Sequence, residues 1–290
     1  INRYGAMAPQ LTARHIWNWE RTKRALFLFL FGAMKKYAIA NLTAPTIAAI
    51  LDGNDPKLAG SMALLAILLY SLQQYADFSG GIDLVTGIAQ LFGIQLAPNF
   101  KRPYFSVSLG DFWRRWHISL GAWMRDYVFY PFALTRPVSR MSKALKKKAG
   151  THIARALPAA LGNILVFLLV GIWHGAQMNY VLWGLYNGVI LAFTALVEPV
   201  YKRMNDRLPR LTASGGFHVF RILRTFLVVN IGWYFDRCVR VCDAFAMLHK
   251  TFFAFNAQQL FDGTLDTLGL AAKDYRILLV ATIILFVVSL

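Results

Sequence analysis

The chain has 290 residues, of which 57% are apolar and 16% charged, with a formal net charge of +17, a balance too greasy for an ordinary soluble domain. Its basic residues cluster between apolar runs instead of lining one polar face, which excludes a nucleic-acid binder and points to anionic lipid and the cytoplasmic leaflet. Two cysteines, Cys238 and Cys242, are expected on one helical face as ordinary thiols, because no other cysteine or histidine cluster completes a metal set.

An apolar span needs roughly 20 residues to cross about 30 Å of hydrocarbon, and several stretches approach that length. The chain therefore reads as all-α and polytopic, a single membrane domain over residues 1–290. It opens without an initiator Met and closes on an apolar run from Arg276 to Leu290, so both ends are expected to be truncated. The stretch from Arg24 to Lys36 is short and flanked by basic residues, which predicts a tilted, partly interfacial helix with snorkelling lysines. A turn follows at Asp52-Gly53-Asn54-Asp55-Pro56.

Leu58 to Tyr75 predicts an apolar helix. Beyond it, Asp77, Ser79, Gly80 and Gly81 suggest a break inside the membrane, where irregular backbone survives only against protein or a water-filled cavity. Ile82 to Leu96 is then a re-entrant or internal helix. Asp111 to Phe132 reads as one helix, rich in aromatic and polar side chains, with Asp111 paired to Arg115 at i, i+4.

Arg136 to Arg155 carries seven Lys or Arg and no acid, a positive-inside signal for a cytoplasmic loop. Lys202, Arg203, Arg207 and Arg210 form a second basic loop, 201–210. Two spans lie between them, Ala156–Gln177 and Tyr180–Val200, joined by a turn at Met178-Asn179-Tyr180, so both basic stretches share one side. His174 then falls past the midplane, toward the outer side. A span from Phe217 to Phe235, an amphipathic piece from Asp243 to Phe255, a polar stretch from Asn256 to Asp274 and the final run complete the chain.

Of six histidines, His15, His152, His218 and His249 sit in polar, basic or interfacial segments. His174 is the sole titratable group late in a long apolar span, between Trp173 and Gly175. An intramembrane polar residue is a functional hypothesis by default. The alternative is a histidine hydrogen-bonded between helices for packing. A neutral imidazole can take the proton of an alcohol as it attacks an acyl carbon, and oxyanion donors would come from Asn179, Asn187, Trp173 or a backbone amide. His117 is read either as a donor-binding residue or as an interfacial one. No nucleophile elbow, phosphate loop, zinc-protease or dinucleotide motif occurs.

Three blocks carry a family resemblance: Tyr75 to Gly81; Asp111 to Leu120, running on to Val128; and Gly171-Ile172-Trp173-His174-Gly175 with Leu182 to Tyr186. In order and spacing they resemble the membrane-bound O-acyltransferases, in particular the bacterial branch of alginate O-acetyltransferases and teichoic acid D-alanyl transfer proteins. The likeness reaches from about Leu11 to the C-terminus and includes Asn230 to Phe235. It implies broken or re-entrant helices around a central tunnel, His174 as catalytic histidine and His117 as the second motif histidine. Trp173, Asn179, Trp116, Arg115, Asp77 and Ser79 are the expected supporting residues.

No bound cofactor and no metal are implied. The donor substrate would be an acyl thioester, acetyl-CoA or an acyl carrier, and the acceptor a hydroxyl of an extracytoplasmic glycan or cell-wall polymer, with an accessory acyltransferase or carrier protein as possible partner. The setting would be a bacterial plasma membrane. The second block favours acetyl over D-alanyl transfer. Asn187 departs from the family, where histidine is often found. From another class, a transporter or flippase would use Asp77 and Asp83 as coupling sites.

Overall fold

A computed structural model describes residues 1–53 and 55–289. Asn54 of the expected turn and Leu290 of the final run lie outside the described residues. These fall into two compact units, Ile1–Phe100 with Cys242–Leu290, and Lys101–Val241. Regular structure in both is helical.

In the first unit a short helix, α1 (Tyr4–Thr12), precedes α2 (Trp19–Met34), which starts where the Asn18 side chain accepts from the Arg21 amide at 2.9 Å. Such a cap satisfies one orphan amide of the first turn. α2 does not stop at the lysines. It passes through a π-helical segment, Lys35–Ala40, into α3 (Asn41–Leu51), and the continuous 33 residues from Trp19 to Leu51 are long and apolar enough to cross a membrane. The short interfacial helix expected here is thus part of a full-length one.

α4 (Gly60–Leu91) runs unbroken through Gly80 and Gly81, against the predicted break, and Ile82 to Leu91 are its last turns, not a separate re-entrant helix. Gly80 serves close helix packing instead. A Cβ on it would lie 2.9 Å from the Gly32 carbonyl oxygen, and one on Gly32 would lie 2.7 Å from the Gly80 oxygen. The irregular backbone sits in the facing π segment, a form that often marks a functional or strained position. It presents Lys35 and Lys36 to α4. Lys35 is 3% exposed, donates to Ser79 Oγ at 3.0 Å, pairs with Asp83 and lies 4.7 Å above the Phe31 ring; Lys36 pairs with Asp77.

The second unit begins with α5 (Leu109–Arg115), capped by Ser108 Oγ, which accepts from the Asp111 amide at 3.1 Å. The single helix expected from Asp111 to Phe132 is broken. The chain leaves it at Trp116 and His117, re-enters at α6 (Ile118–Met124), passes a π segment, Arg125–Phe129, and ends in α7 (Tyr130–Ala133).

α8 (Arg136–His174) contains Gly150 at φ 84°, ψ 173°, outside helical geometry. That backbone suits glycine, which lacks a Cβ to clash. The bend lets Ser142 Oγ reach the Ala154 carbonyl at 2.8 Å, whereas twelve residues of straight helix would separate them by about 18 Å. The basic stretch is therefore a helix folded back on the span, not a loop. Val138 is buried and Met141 and Leu145 half-buried on its inner face, while Arg140, Lys143, Lys146 and Lys147 are exposed.

The chain turns at Gly175 to Gln177, so Met178, Asn179 and Tyr180 open α9 (Met178–Leu196) instead of forming the turn. The second basic stretch is also helical, α10 (Glu198–Arg207) and α11 (Pro209–Thr212). α12 (Gly215–Arg237) extends two residues beyond each end of the predicted span. It ends at buried Cys238; exposed Cys242 lies on the next helix, so the two thiols do not share one.

α13 (Val241–Phe253) and α14 (Ala272–Ser289) return the chain to the first unit. The Gly60 amide donates to the Ala254 carbonyl at 2.8 Å, and Ala281 and Leu285 are buried against Ile39, Ala40 and Ala76. Three helical stretches among the described residues are long and apolar enough to span: Trp19–Leu51, Arg136–His174 and Met178–Leu196.

Candidate active site

His174 is the last residue of α8 and is exposed. Its ring rests on an aromatic wall, with centroids 5.3 Å from Trp173, 5.0 Å from Trp183 and 6.1 Å from Tyr180. The wall continues inward: Trp183 stacks on Trp233 at 6.3 Å and 13°, and meets Trp113 edge-on at 5.7 Å. Trp116 lies 5.7 Å from Trp233 and 5.5 Å from Phe112. Such packed rings hold one face of the imidazole rigidly and leave the other open.

The α8–α9 hairpin positions this histidine. Gly171 and Gly184 face each other, and a Cβ on either would meet the other's Cα at 3.3 Å and overlap a carbonyl oxygen, of Tyr180 or of Phe167 respectively. Small residues at a crossing let backbones approach, which is how membrane helices gain packing energy. Gly175 has φ 168°, extended backbone open to any residue. What it makes room for is the Tyr180 ring, whose Cδ2 would sit 2.7 Å from a Cβ there. Gly175 thus seats the Tyr180 ring beside His174.

His117 caps α6 in the left-handed region, at φ 44° and ψ 53°. That conformation costs a side-chain-bearing residue about 1–2 kcal/mol, and such strain clusters at functional sites. Burial above all pushes its imidazole down to about 4, and a positive charge on His174 opposes one on His117. The two motif histidines are therefore within electrostatic reach of one another, and His117 is neutral at pH 7.

The other expected residues take differing places. Trp116 is 7% exposed within the aromatic wall, while Trp173 is 63% exposed beside His174. Arg115 is held by Asp111 through two contacts, Nε to Oδ1 at 3.1 Å and Nη2 to Oδ2 at 3.0 Å, so its guanidinium braces the start of α5, as the i, i+4 spacing predicted. Asn179 is 2% exposed, donates from Nδ2 to the Phe235 carbonyl at 3.3 Å, and its Oδ1 has no hydrogen-bond partner among the described residues. Asn187 accepts from Trp113 Nε1 at 3.1 Å and donates to the Trp183 carbonyl at 2.9 Å. Its amide is engaged at both ends in holding the wall. Asp77 and Ser79 lie in the first unit, held by Lys36 and Lys35. No group of three or more His, Cys, Asp or Glu suited to a metal occurs among the described residues.

Trp183 and Trp233 fall within the family-like segments Leu182 to Tyr186 and Asn230 to Phe235, yet no place beside His174 followed for them from the sequence. Asp236 was missed because the predicted span stopped at Phe235, one residue short. It is an acid in the last turn of an apolar helix, 6% exposed, and its charge acts on the His174 ring.

Residues 2–231 match the family described as MBOAT, membrane-bound O-acyltransferase family. The chain is 30% identical over 250 residues to a peptidoglycan O-acetyltransferase of Helicobacter pylori, covering 86% of this chain and 42% of that protein. It is 34% identical to a probable alginate O-acetylase of Pseudomonas syringae, covering 80% and 39%, and 32% identical to a teichoic acid D-alanyltransferase of Bacillus subtilis, covering 72% and 47%. The chain spans less than half the length of these relatives. With the matched region covering most of the chain and enclosing both motif histidines together with Trp173, Tyr180 and Trp183, the chain belongs to the membrane-bound O-acyltransferase family.

Proposed function

We propose that this chain carries the catalytic centre of an O-acyltransferase that moves an acetyl group from a cytoplasmic thioester to a hydroxyl of an extracytoplasmic polysaccharide or cell-wall polymer, with His174 as general base. The observation that carries this reading is an imidazole fixed on one face by Trp183 and Tyr180 and open on the other. His174 takes the proton of the acceptor hydroxyl as its oxygen attacks the thioester carbonyl. The carbon–sulfur bond then breaks, and the thiolate leaves with the proton from the imidazolium. Alignment of the two substrates supplies much of the rate.

Asn179, with one Nδ2 hydrogen beyond its bond to Phe235, serves as the oxyanion donor in this reading. Neutral His117 and exposed Trp173 line the donor's approach, and Trp116 and Arg115 support them from behind. The setting is a bacterial plasma membrane, with the basic helices over 136–155 and 201–210 on the cytoplasmic face. Acetyl-CoA or an acyl carrier is the donor, and an accessory protein completes delivery to the polymer. His174→Ala should abolish acetylation while the amount of folded protein is unchanged; full activity in that variant ends the proposal.

A second reading is D-alanyl transfer to teichoic acid, favoured by the Bacillus subtilis relative and by a basic face that suits an acidic carrier. Mass analysis of the modified polymer separates the two.

A further inference from the structure

α9 and α12 run antiparallel along a shared stripe. Tyr186 OH donates to the Val228 carbonyl at 2.7 Å, Trp183 stacks on Trp233, and Asn179 Nδ2 donates to the Phe235 carbonyl. Moving back along α9 therefore means moving forward along α12. The residue after Phe235 is Asp236, which this register carries to the Asn179 end of the stripe. That is the end where His174 meets Tyr180 and Trp183.

Asp236 is 6% exposed, and its neighbours Trp233, Tyr234 and Phe235 are 3%, 2% and 7% exposed. A buried carboxylate interacts strongly with a charge that forms nearby, because little water screens it. Its electrostatic reach includes the His174 ring.

We propose that Asp236 is a positioning residue that acts through His174: from the same end of the stripe its carboxylate stabilises the imidazolium that forms when the acceptor hydroxyl gives up its proton. The inference rests on the general-base role of His174. The proton passes from the hydroxyl to His174 and then to the departing thiolate. This is the division of labour in which a buried acid steadies a histidine base without itself taking the proton.

The test uses membranes carrying the full protein, with labelled acetyl-CoA and, in parallel, a D-alanyl thioester as donors, and label in the polymer fraction as the readout. Asp236→Asn should lower kcat at least tenfold and leave KM for the donor within twofold, at an unchanged amount of folded protein. Asp236→Glu, which restores the charge, should recover most of the lost kcat. Wild-type kcat in Asp236→Asn, while His174→Ala is inactive, overturns this inference and leaves the base assignment standing. Loss of folded protein in both Asp236 variants, with kcat per folded molecule unchanged, assigns the residue to packing and also overturns it. Activity persisting in His174→Ala removes the base and the positioning role together.

Discussion

Replacing Gly171 by Ala places one methyl group at the closest point of the α8–α9 crossing. The added carbon would overlap the Tyr180 carbonyl oxygen and lie 3.2 Å from the Tyr180 carbonyl carbon and 3.3 Å from the Gly184 Cα. All three are backbone atoms, so no side chain can swing aside, and the helices must part by on the order of 1 Å to restore ordinary contact. Overpacking of this kind costs about 1–3 kcal/mol. Against it, Ala in place of Gly stabilises a helix by about 1 kcal/mol. Because the obstruction is backbone, the steric term lies toward the upper end of that range, and a net loss of up to about 2 kcal/mol is expected. His174 lies three residues on, and its seat on Trp183 belongs to the opposite helix. In the proposed role of His174 as general base, a shift of about 1 Å can cost about a hundredfold in rate, so acyl transfer should fall more steeply than stability. Thermal unfolding in detergent, followed by tryptophan fluorescence, and initial transfer rates in membranes measure the two. Gly216→Ala, where a Cβ meets nothing within 4 Å, is the control and should leave the rate unchanged. A Gly171→Ala protein with wild-type stability and rate would refute the close-crossing argument.

Asp83→Asn leaves Lys35 buried beside a neutral partner, and a loss of about 3–5 kcal/mol is expected; Lys35→Met with Asp83→Leu should recover most of it, as measured by denaturation midpoints of the single and double variants. His117→Gly relieves the left-handed backbone and should raise the unfolding midpoint by the equivalent of about 1 kcal/mol while transfer activity falls. Because the folded-state pKa of His117 is about 4 and an unfolded histidine titrates near 6.5, the unfolded chain binds a proton over this window that the folded chain refuses. The His117 contribution to stability is therefore present above about pH 6.5 and lost as pH falls toward 4, and His117→Gln should flatten that part of the midpoint-against-pH curve. Asn187→Leu removes the acceptor of Trp113 Nε1, and leaving that donor unsatisfied should cost about 1–3 kcal/mol, read as a lowered unfolding midpoint.

The residues of the three motif blocks carried the helical membrane class, the family and His174 without any coordinates. Apolar runs of span length and clustered basic residues are properties of local sequence, and a lone histidine in such a run announces itself. The Asp111–Arg115 pair was legible for the same reason, since helical spacing alone brings i and i+4 together. Where backbone would bend was not legible. Gly80 and Gly81 looked like a break, yet the helix runs through both, and Gly80 proved to be a packing residue while a Cβ on Gly81 would meet nothing within 4 Å, because a glycine's role depends on which helix lies against it. The actual irregularities, at Lys35–Ala40, Trp116–His117 and Gly150, answer to partners distant in sequence or to steric needs that no local pattern encodes. Asp236 shows this most plainly: 62 residues from His174 in the chain, it becomes a candidate for catalysis only once α12 lies antiparallel along α9. Sequence fixes which side chains are available and at what helical phase. Tertiary packing alone decides which of them face one another, because burial and distance, and hence the strength of a charge, are properties of the neighbours.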